Sequence, residues 1–350
     1  GPIAGVKMVR CSDVASAPLA SIQALDYARV LDEFRVRGGR HAQLSPSERT
    51  PLPEGYAKWR FDEPLCDHVG TCHESSVAAS PRTRHSTRSA ENYSAWWRAH
   101  DALAALARRA GRPGLVFVGD SISESYLGSS MLAPCRRCAG VPNALAAEMR
   151  RAFGESLVVA ISGDQTQHVL WRLENGGFSP QLRAGRSVVN VHIGTNNLGA
   201  GYLPHDAALG VHAVASWLLE RTGSAVLVNA LLPRSDHDPP RVRKLCPPRC
   251  NARGEPFRSF APAIDKTNRL VADLVQRLRT RHGPRVAYAD CGAAFVRADG
   301  QVDAQLMPDM LHPNALGHTL LLRCLRPHLL ALKQFANGTA GRVQTSLDRT

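Results

Sequence analysis

No run of the 350 residues is both long enough and free enough of charge to cross a bilayer as a helix. No internal repeat is visible, so the chain is not a stack of like units. Acidic residues are in the minority: 30 Asp and Glu face 43 Lys and Arg, for a formal net charge of +13. Such an excess favours an anionic surface among the contacts of the protein, such as acidic glycan, lipid headgroups or nucleic acid. The basic residues, however, are scattered and not interleaved with aromatics, which are only 6% of the chain. No motif of a nucleic-acid reader is present, which argues against that partner. Peripheral contact with an anionic surface is the remaining functional reading, and solvated charge that aids solubility is the plainer one. His168, His192, His205 and His318 show no metal-ligand spacing with one another. No secretory leader is visible; the Gly1-Pro2 start is consistent with a protease scar, so that absence is silent on compartment.

Cysteine is abundant. Cys66 and Cys72, Cys135 and Cys138, and Cys246 and Cys250 lie close in sequence, mostly in Pro- or Arg-rich loops. Cys291 and Cys324 sit near expected core elements, and Cys11 lies in the amino-terminal tail. Paired loop cysteines point to disulfides and an oxidising compartment. The sequons Asn92-Tyr93-Ser94 and Asn337-Gly338-Thr339 point the same way, towards a glycoprotein of the secretory lumen or exterior. The rival for "CRRC" and "CPPRC" is a four-thiolate zinc site, although neither pair sits in a knuckle pattern.

Residues 1–92 lack a sustained period, and Ser, Pro and Arg cluster in them, as expected of an irregular wrapping extension or linker. "YAKWRFDEPLCDHVGTC" is expected to dock on the main domain through Trp59, Phe61 and a local cystine. From Tyr93 the pattern changes, and 93–335 reads as one domain followed by a tail over 336–350. "SAWWRAHDALAALARRAG" has helical spacing, with Trp96, Trp97 and, further on, Trp171 at packing positions. Strands are predicted over 115–118, 157–161, 188–193, 225–231 and 286–289. Helices are predicted over 142–153, 165–173, 206–221, 262–281 and 315–334. Five strands each followed by a helix imply an α/β fold, a parallel sheet covered on both faces, with ligands at the carboxyl ends of the strands. Two insertions, near 129–142 and 234–260, carry cysteine pairs and are long enough to form a rim or lid.

Chemistry-bearing residues gather at the predicted strand ends. "FVGDSI" places Ser121 after the first strand, "AISGDQTQ" places Gly163 after the second, and "VHIGTNN" places Asn196 and Asn197 after the third. "MPDMLHPNALGH" then sets Asp309 and His312 three positions apart before the last helix. Ester hydrolysis needs a hydroxyl nucleophile, a base near neutrality and a carboxylate to orient that base. Ser121, His312 and Asp309 supply those types. Ser121 N–H, Gly163 N–H and the Asn196 amide are candidate donors to a developing oxyanion. Each piece alone has a plain alternative: a helix cap at Asp120-Ser121, a turn at Gly163, capping asparagines, a loop acid and a surface histidine. A sheet that brings all these strand ends to one crevice favours the catalytic reading.

The order nucleophile, donor, donor, acid, base resembles the SGNH (GDSL-type) hydrolase family over roughly 94–334. More narrowly it resembles the catalytic alpha subunits of intracellular type I platelet-activating-factor acetylhydrolases. The resemblance rests on "WW", "FVGDSI", "GDQTQHVLWRLENG", "IGTNN", "ALLPR" and "DMLHPNALGH". It implies a flavodoxin-like three-layer sandwich and a metal-independent serine esterase with no cofactor. It further implies Ser121 as nucleophile, His312 as base, Asp309 as orienting acid, and Ser121, Gly163 and Asn196 as the oxyanion hole. A short acyl pocket is expected, with Ile122 and Leu311 as near walls. The substrate implied is a small acetyl ester, either phospholipid-like or an acetylated glycan; acyl transfer or a non-catalytic binding role are the alternatives. The subgroup implies a homodimer and a cytoplasmic location, against the oxidising compartment that the cysteines indicate. The long amino-terminal segment and the two cysteine-bearing insertions depart from that subgroup.

Overall fold

The computed structural model describes residues 65–66, 72–83, 89–235 and 259–336. Its centre is a five-stranded parallel sheet: β1 (Leu115–Gly119), β2 (Ser156–Ala160), β3 (Val188–His192), β4 (Ala225–Asn229) and β5 (Val286–Ala289). The strand order is β2-β1-β3-β4-β5. That is the flavodoxin-like order, which reverses direction between β1 and β3 and opens a crevice at their carboxyl ends. Every residue of β1 to β4 is buried, which is why these segments read as unbroken apolar runs rather than alternating ones.

Six main helices cover the sheet: α1 (Ala90–Arg109), α2 (Val141–Phe153), α3 (Thr166–Arg172), α4 (Pro204–Arg221), α5 (Ala261–His282) and α6 (Ala315–Ala336). α2 packs against α6, and α4 packs against α3 and α5, giving helical layers on the two sides of the sheet. α1 begins at Ser89, whose hydroxyl accepts from Asn92 N–H, with Glu91 in its first turn and Arg108 and Arg109 in its last. The cap and the charges complement the orphan N–H groups and the helix dipole. α3 runs past its expected end into a π-type turn over Leu173–Gly177.

Register brings the strand ends level. Gly119 lies opposite Ala160 on one side and His192 on the other. The residues that follow β1, β2 and β3 therefore leave the sheet at one edge. A side chain at Gly119 would put its Cβ 2.3 Å from His192 O and 2.7 Å from Ser123 Oγ. Only glycine lets the chain turn there at once into the one-turn helix that starts at Ser121.

The amino-terminal segment over 72–83 is part of this domain's surface. Ser76, Ala79, Ser80 and Arg82 are buried, and Ser80 N–H donates to Gln167 O in α3. Leu65–Cys66 pairs antiparallel with Cys72–His73, with Cys66 opposite Cys72. Trp59 and Phe61, Cys11, the Cys246–Cys250 pair and Asn337 lie outside the described residues. Asn92 of the first sequon falls in the first turn of α1.

Two crosslinks are present among the described residues. Cys135–Cys138 closes the tight loop of the first insertion, so that pair offers no thiolate to a metal. Cys291–Cys324 ties the segment after β5 to α6 across 33 residues. That loop contains Asp309 and His312. No helix among the described residues is long and apolar enough to cross a membrane.

Candidate active site

Ser121, Asp309 and His312 converge at the carboxyl edge of the sheet. Ser121 Oγ lies 2.9 Å from His312 Nε2, and His312 Nδ1 lies 2.6 Å from Asp309 Oδ2. A carboxylate only accepts, so Nδ1 carries the proton and Nε2 is left to accept from the Ser121 hydroxyl. Ser121 is 6% exposed; its neighbour Asp120 caps the one-turn helix through Ile122 N–H at 3.0 Å.

Asp309 and His312 sit on a loop that holds itself. Asp309 Oδ1 accepts from His312 N–H at 2.7 Å and from Leu311 N–H at 3.1 Å. Met310, between them, takes a left-handed backbone with φ of 57°, an uncommon conformation for a residue with a side chain. That turn folds the backbone N–H groups back onto the carboxylate. Met310 O in turn accepts from Ser235 N–H, and Asn314 N–H donates to Leu306 O. His312 hydrogen bonds and its own backbone N–H hold the Asp309 carboxyl well below the usual carboxylate range, against the opposing effect of burial. Burial lowers the His312 basicity; Asp309 raises it, and the charges of Arg137 and Arg234 lower it.

Gly163 and Asn196 border the same crevice. The chain turns from Ile161 O to Asp164 N–H at 3.1 Å, with Gly163 third in the turn at φ of 80°. A Cβ on Gly163 would meet Arg82 Nη2 at 2.5 Å, so both the turn and the neighbour demand glycine. Asn196 Nδ2 donates to Asp164 O at 2.9 Å and reaches Asp120 Oδ2 at 3.3 Å. Burial pushes the Asp120 carboxyl up to about 7, although Ile122 N–H opposes the shift. Asn197 has a scaffold role: its Oδ1 accepts from Thr166 N–H at the start of α3. Of the two expected pocket walls, Leu311 presents surface, whereas Ile122 is 2% exposed and belongs to the main core.

Several groups that hold this edge together were not singled out in the sequence. Asp164 is fully buried and receives Trp96 Nε1 at 2.7 Å, Arg172 Nε at 2.7 Å and the Arg82 guanidinium at 3.5 Å. Trp96 is thus a hydrogen-bond donor as well as a packing residue. Arg82 also donates to Ser162 O at 2.7 Å, so the amino-terminal segment supplies a cation directly beneath Gly163. Glu124, also fully buried, accepts from Ser162 N–H and Ser162 Oγ, both at 2.6 Å, and from Leu132 N–H at 2.8 Å. It therefore fastens the first insertion to the end of β2. The "GD" spacing was the available signal for Asp164; nothing local pointed to Arg82 or Glu124. Of the other histidines, His168 takes Gln165 N–H on Nδ1 at 3.0 Å, and His192 and His318 are buried beneath the site. Among the described residues no cluster of His, Cys, Asp and Glu could hold a metal ion.

The chain is similar to proteins of one known family. The chain is 32% identical to the platelet-activating factor acetylhydrolase IB subunit alpha1 of Bos taurus over 232 residues, 65% of this chain and 80% of the relative. It is 32% identical to the Homo sapiens subunit over 223 residues, 63% of this chain and 77% of the relative. Among solved structures, a GDSL-like lipase from Bacteroides thetaiotaomicron covers 66% of this chain and 96% of its own, with 15% identity and a TM-score of 0.46. The model of the GDSL-like lipase/acylhydrolase family matches residues 117–320, more than half of the chain, and spans Ser121, Gly163, Asn196, Asp309 and His312. The protein belongs to the GDSL-like lipase/acylhydrolase family, and is an ester-hydrolysing enzyme of the SGNH fold.

Proposed function

We propose that the protein hydrolyses short-chain, chiefly acetyl, esters through a Ser121–His312–Asp309 triad. The observation that carries this reading is the unbroken hydrogen-bonded chain from Ser121 Oγ through the imidazole to the Asp309 carboxylate. In the reaction, Ser121 Oγ attacks the ester carbonyl as His312 Nε2 takes its proton. The imidazolium so formed is stabilised by Asp309 and returns the proton to the leaving alcohol. Water, deprotonated by the same nitrogen, then releases the acyl group from Ser121.

The negative charge on the carbonyl oxygen is met by Ser121 N–H, Gly163 N–H and the Asn196 amide. Asn196 already has two acceptors, and the 3.3 Å contact with Asp120 is the weaker one. A developing oxyanion takes over that hydrogen while Asp164 O keeps the amide oriented. Each such donor lowers the barrier by about 3 kcal/mol.

An acetyl group as the acyl part is supported by the relatedness to acetylhydrolase subunits. The cystines among the described residues support an oxidising compartment. The deciding measurement is turnover of p-nitrophenyl acetate by wild type and Ser121→Ala, with a chain-length series from acetate to octanoate. We expect Ser121→Ala to lose hydrolysis with an unchanged melting temperature, and acetate to be the best acyl donor. Hydrolysis retained by Ser121→Ala would remove that residue from the mechanism.

A further inference from the structure

The first insertion brings a cation to the triad. Residues 129–130 and 133–134 pair as a two-residue antiparallel ladder, and Glu124 accepts from Ser129 Oγ at 2.9 Å and from Leu132 N–H. The Cys135–Cys138 crosslink closes the next turn. Arg137, inside that crosslinked turn, is half-buried and donates from Nη1 to Ser125 Oγ at 3.0 Å. The Ser125 hydroxyl donates in turn to Ser121 O at 2.7 Å. Two hydrogen bonds thus connect the guanidinium to the backbone of the nucleophile. A guanidinium has five donors in a fixed fork, and this is its one hydrogen bond to the described residues; no carboxylate among them lies within ion-pair distance. Its bond reaches inward, to the buried Ser125 beside the nucleophile, and while burial lowers its basicity, the charges of Asp309, Glu124 and Asp120 raise it.

Across the crevice, beyond β4, Arg234 donates to Thr195 O at 3.0 Å and stacks on Phe260 with 4.5 Å between guanidinium carbon and ring centre. Both arginines act on the base. Two cations held beside a general base make it a poorer base, and a half-desolvated guanidinium with a single neutral partner carries an unrecovered solvation cost. A negatively charged substrate group would offset both.

We propose that Arg137 is a specificity-determining residue that receives an anionic oxygen group, a phosphate or a carboxylate, on the alcohol side of the ester. The inference rests on the reading of Ser121 as nucleophile. The fork matches two oxygens of either group, and the clamped turn holds it in place before substrate arrives. Glycerol 3-phosphate acetates and acetylated uronic acids are the two sources of that chemistry.

The test compares kcat/KM for neutral triacetin, acetylated glycerol 3-phosphate and acetylated galacturonate. Wild type is expected to favour one anionic ester over triacetin through KM. Arg137→Gln should reduce that preference by about tenfold or more, the worth of one charge-assisted hydrogen bond. Arg137→Lys should keep part of it, and exposed Arg136→Gln should keep all of it. Whichever anionic ester loses its advantage identifies the source. In parallel, calorimetry on Ser121→Ala protein measures binding of glycerol 3-phosphate and of galacturonate. Adding Arg137→Gln should weaken the binding of one of them by about the same factor. No anion preference in wild type, a preference unchanged within twofold in Arg137→Gln, or an equal fall for neutral and anionic esters overturns the inference. Retained turnover by Ser121→Ala overturns the nucleophile assignment instead, and the calorimetric arm still decides the anion site.

Discussion

Replacing Asp309 with Asn tests the proposed role of the carboxylate without changing its shape. The Asn oxygen can still accept from the backbone N–H groups of Leu311 and His312, so the loop keeps the bonds now measured at 3.1 and 2.7 Å. The amide nitrogen then faces His312 Nδ1, where the carboxylate stood at 2.6 Å. Two donors cannot share that contact, so the imidazole proton moves to Nε2, which now confronts the Ser121 hydroxyl as a donor and cannot act as base. The carboxylate that stabilises the imidazolium is lost as well. Together these should reduce kcat by about 10^3 to 10^4.

The pH profile carries an independent sign. His312 must be neutral to accept a proton, and its basicity lies below the ordinary histidine value because of burial and two arginines, with Asp309 opposing. The acidic limb of activity towards a neutral ester should therefore have its midpoint below about pH 6.5. Removing the Asp309 charge takes away what raises the imidazole, so the acidic limb of the variant should move to still lower pH while its plateau falls. Asp309 is 45% exposed, so the melting temperature should change little. The assay is kcat against pH from 4.5 to 9 for p-nitrophenyl acetate, with a thermal melt at each pH. A variant retaining more than a tenth of the wild-type plateau, or an acidic limb that moves upward, would refute the reasoning.

Two predictions concern the scaffold. Arg82→Met leaves Ser162 O without its donor and removes one cation from fully buried Asp164, which keeps Arg172 and Trp96. The cost should be about 2–4 kcal/mol in urea unfolding, with kcat reduced through Gly163, whose turn packs on that guanidinium; an unchanged midpoint would count against it. The Cys291→Ser, Cys324→Ser pair opens a 33-residue loop that carries both acid and base. Chain-entropy arguments put the loss at about 3–4 kcal/mol, read as a lower urea midpoint of the double variant; equal midpoints for variant and wild type would show the crosslink contributes nothing.

The amino-acid order alone settled the local elements. Apolar runs set the strands to within two residues: 157–161 was expected and Ser156–Ala160 is found, while 225–231 overran Ala225–Asn229. The overrun has a cause: Leu231 is apolar and buried but gives its N–H to the Asn268 side chain instead of a neighbouring strand. Gly119, Gly163 and Asn196 were legible because strand ends, tight turns and polar residues announce themselves within a few positions. The Asp309–His312 contact was legible because three residues of spacing in one loop suffice to bring the two side chains together.

What tertiary structure decided are the contacts between segments far apart in the chain. Arg82 meets Ser162 across 80 positions, Trp96 meets Asp164 across 68, and Glu124 meets Ser162 across 38. Cys291 and Cys324 were placed near the core without being paired, since two cysteines 33 residues apart have no local sign of each other. Arg137 was one more basic residue in a loop until the fold set it beside Ser125. Hydropathy and turn chemistry act over a few residues, so sequence determines what each segment becomes. Which buried charge answers which depends on how the helical layers close on the sheet, and only the closed structure contains that.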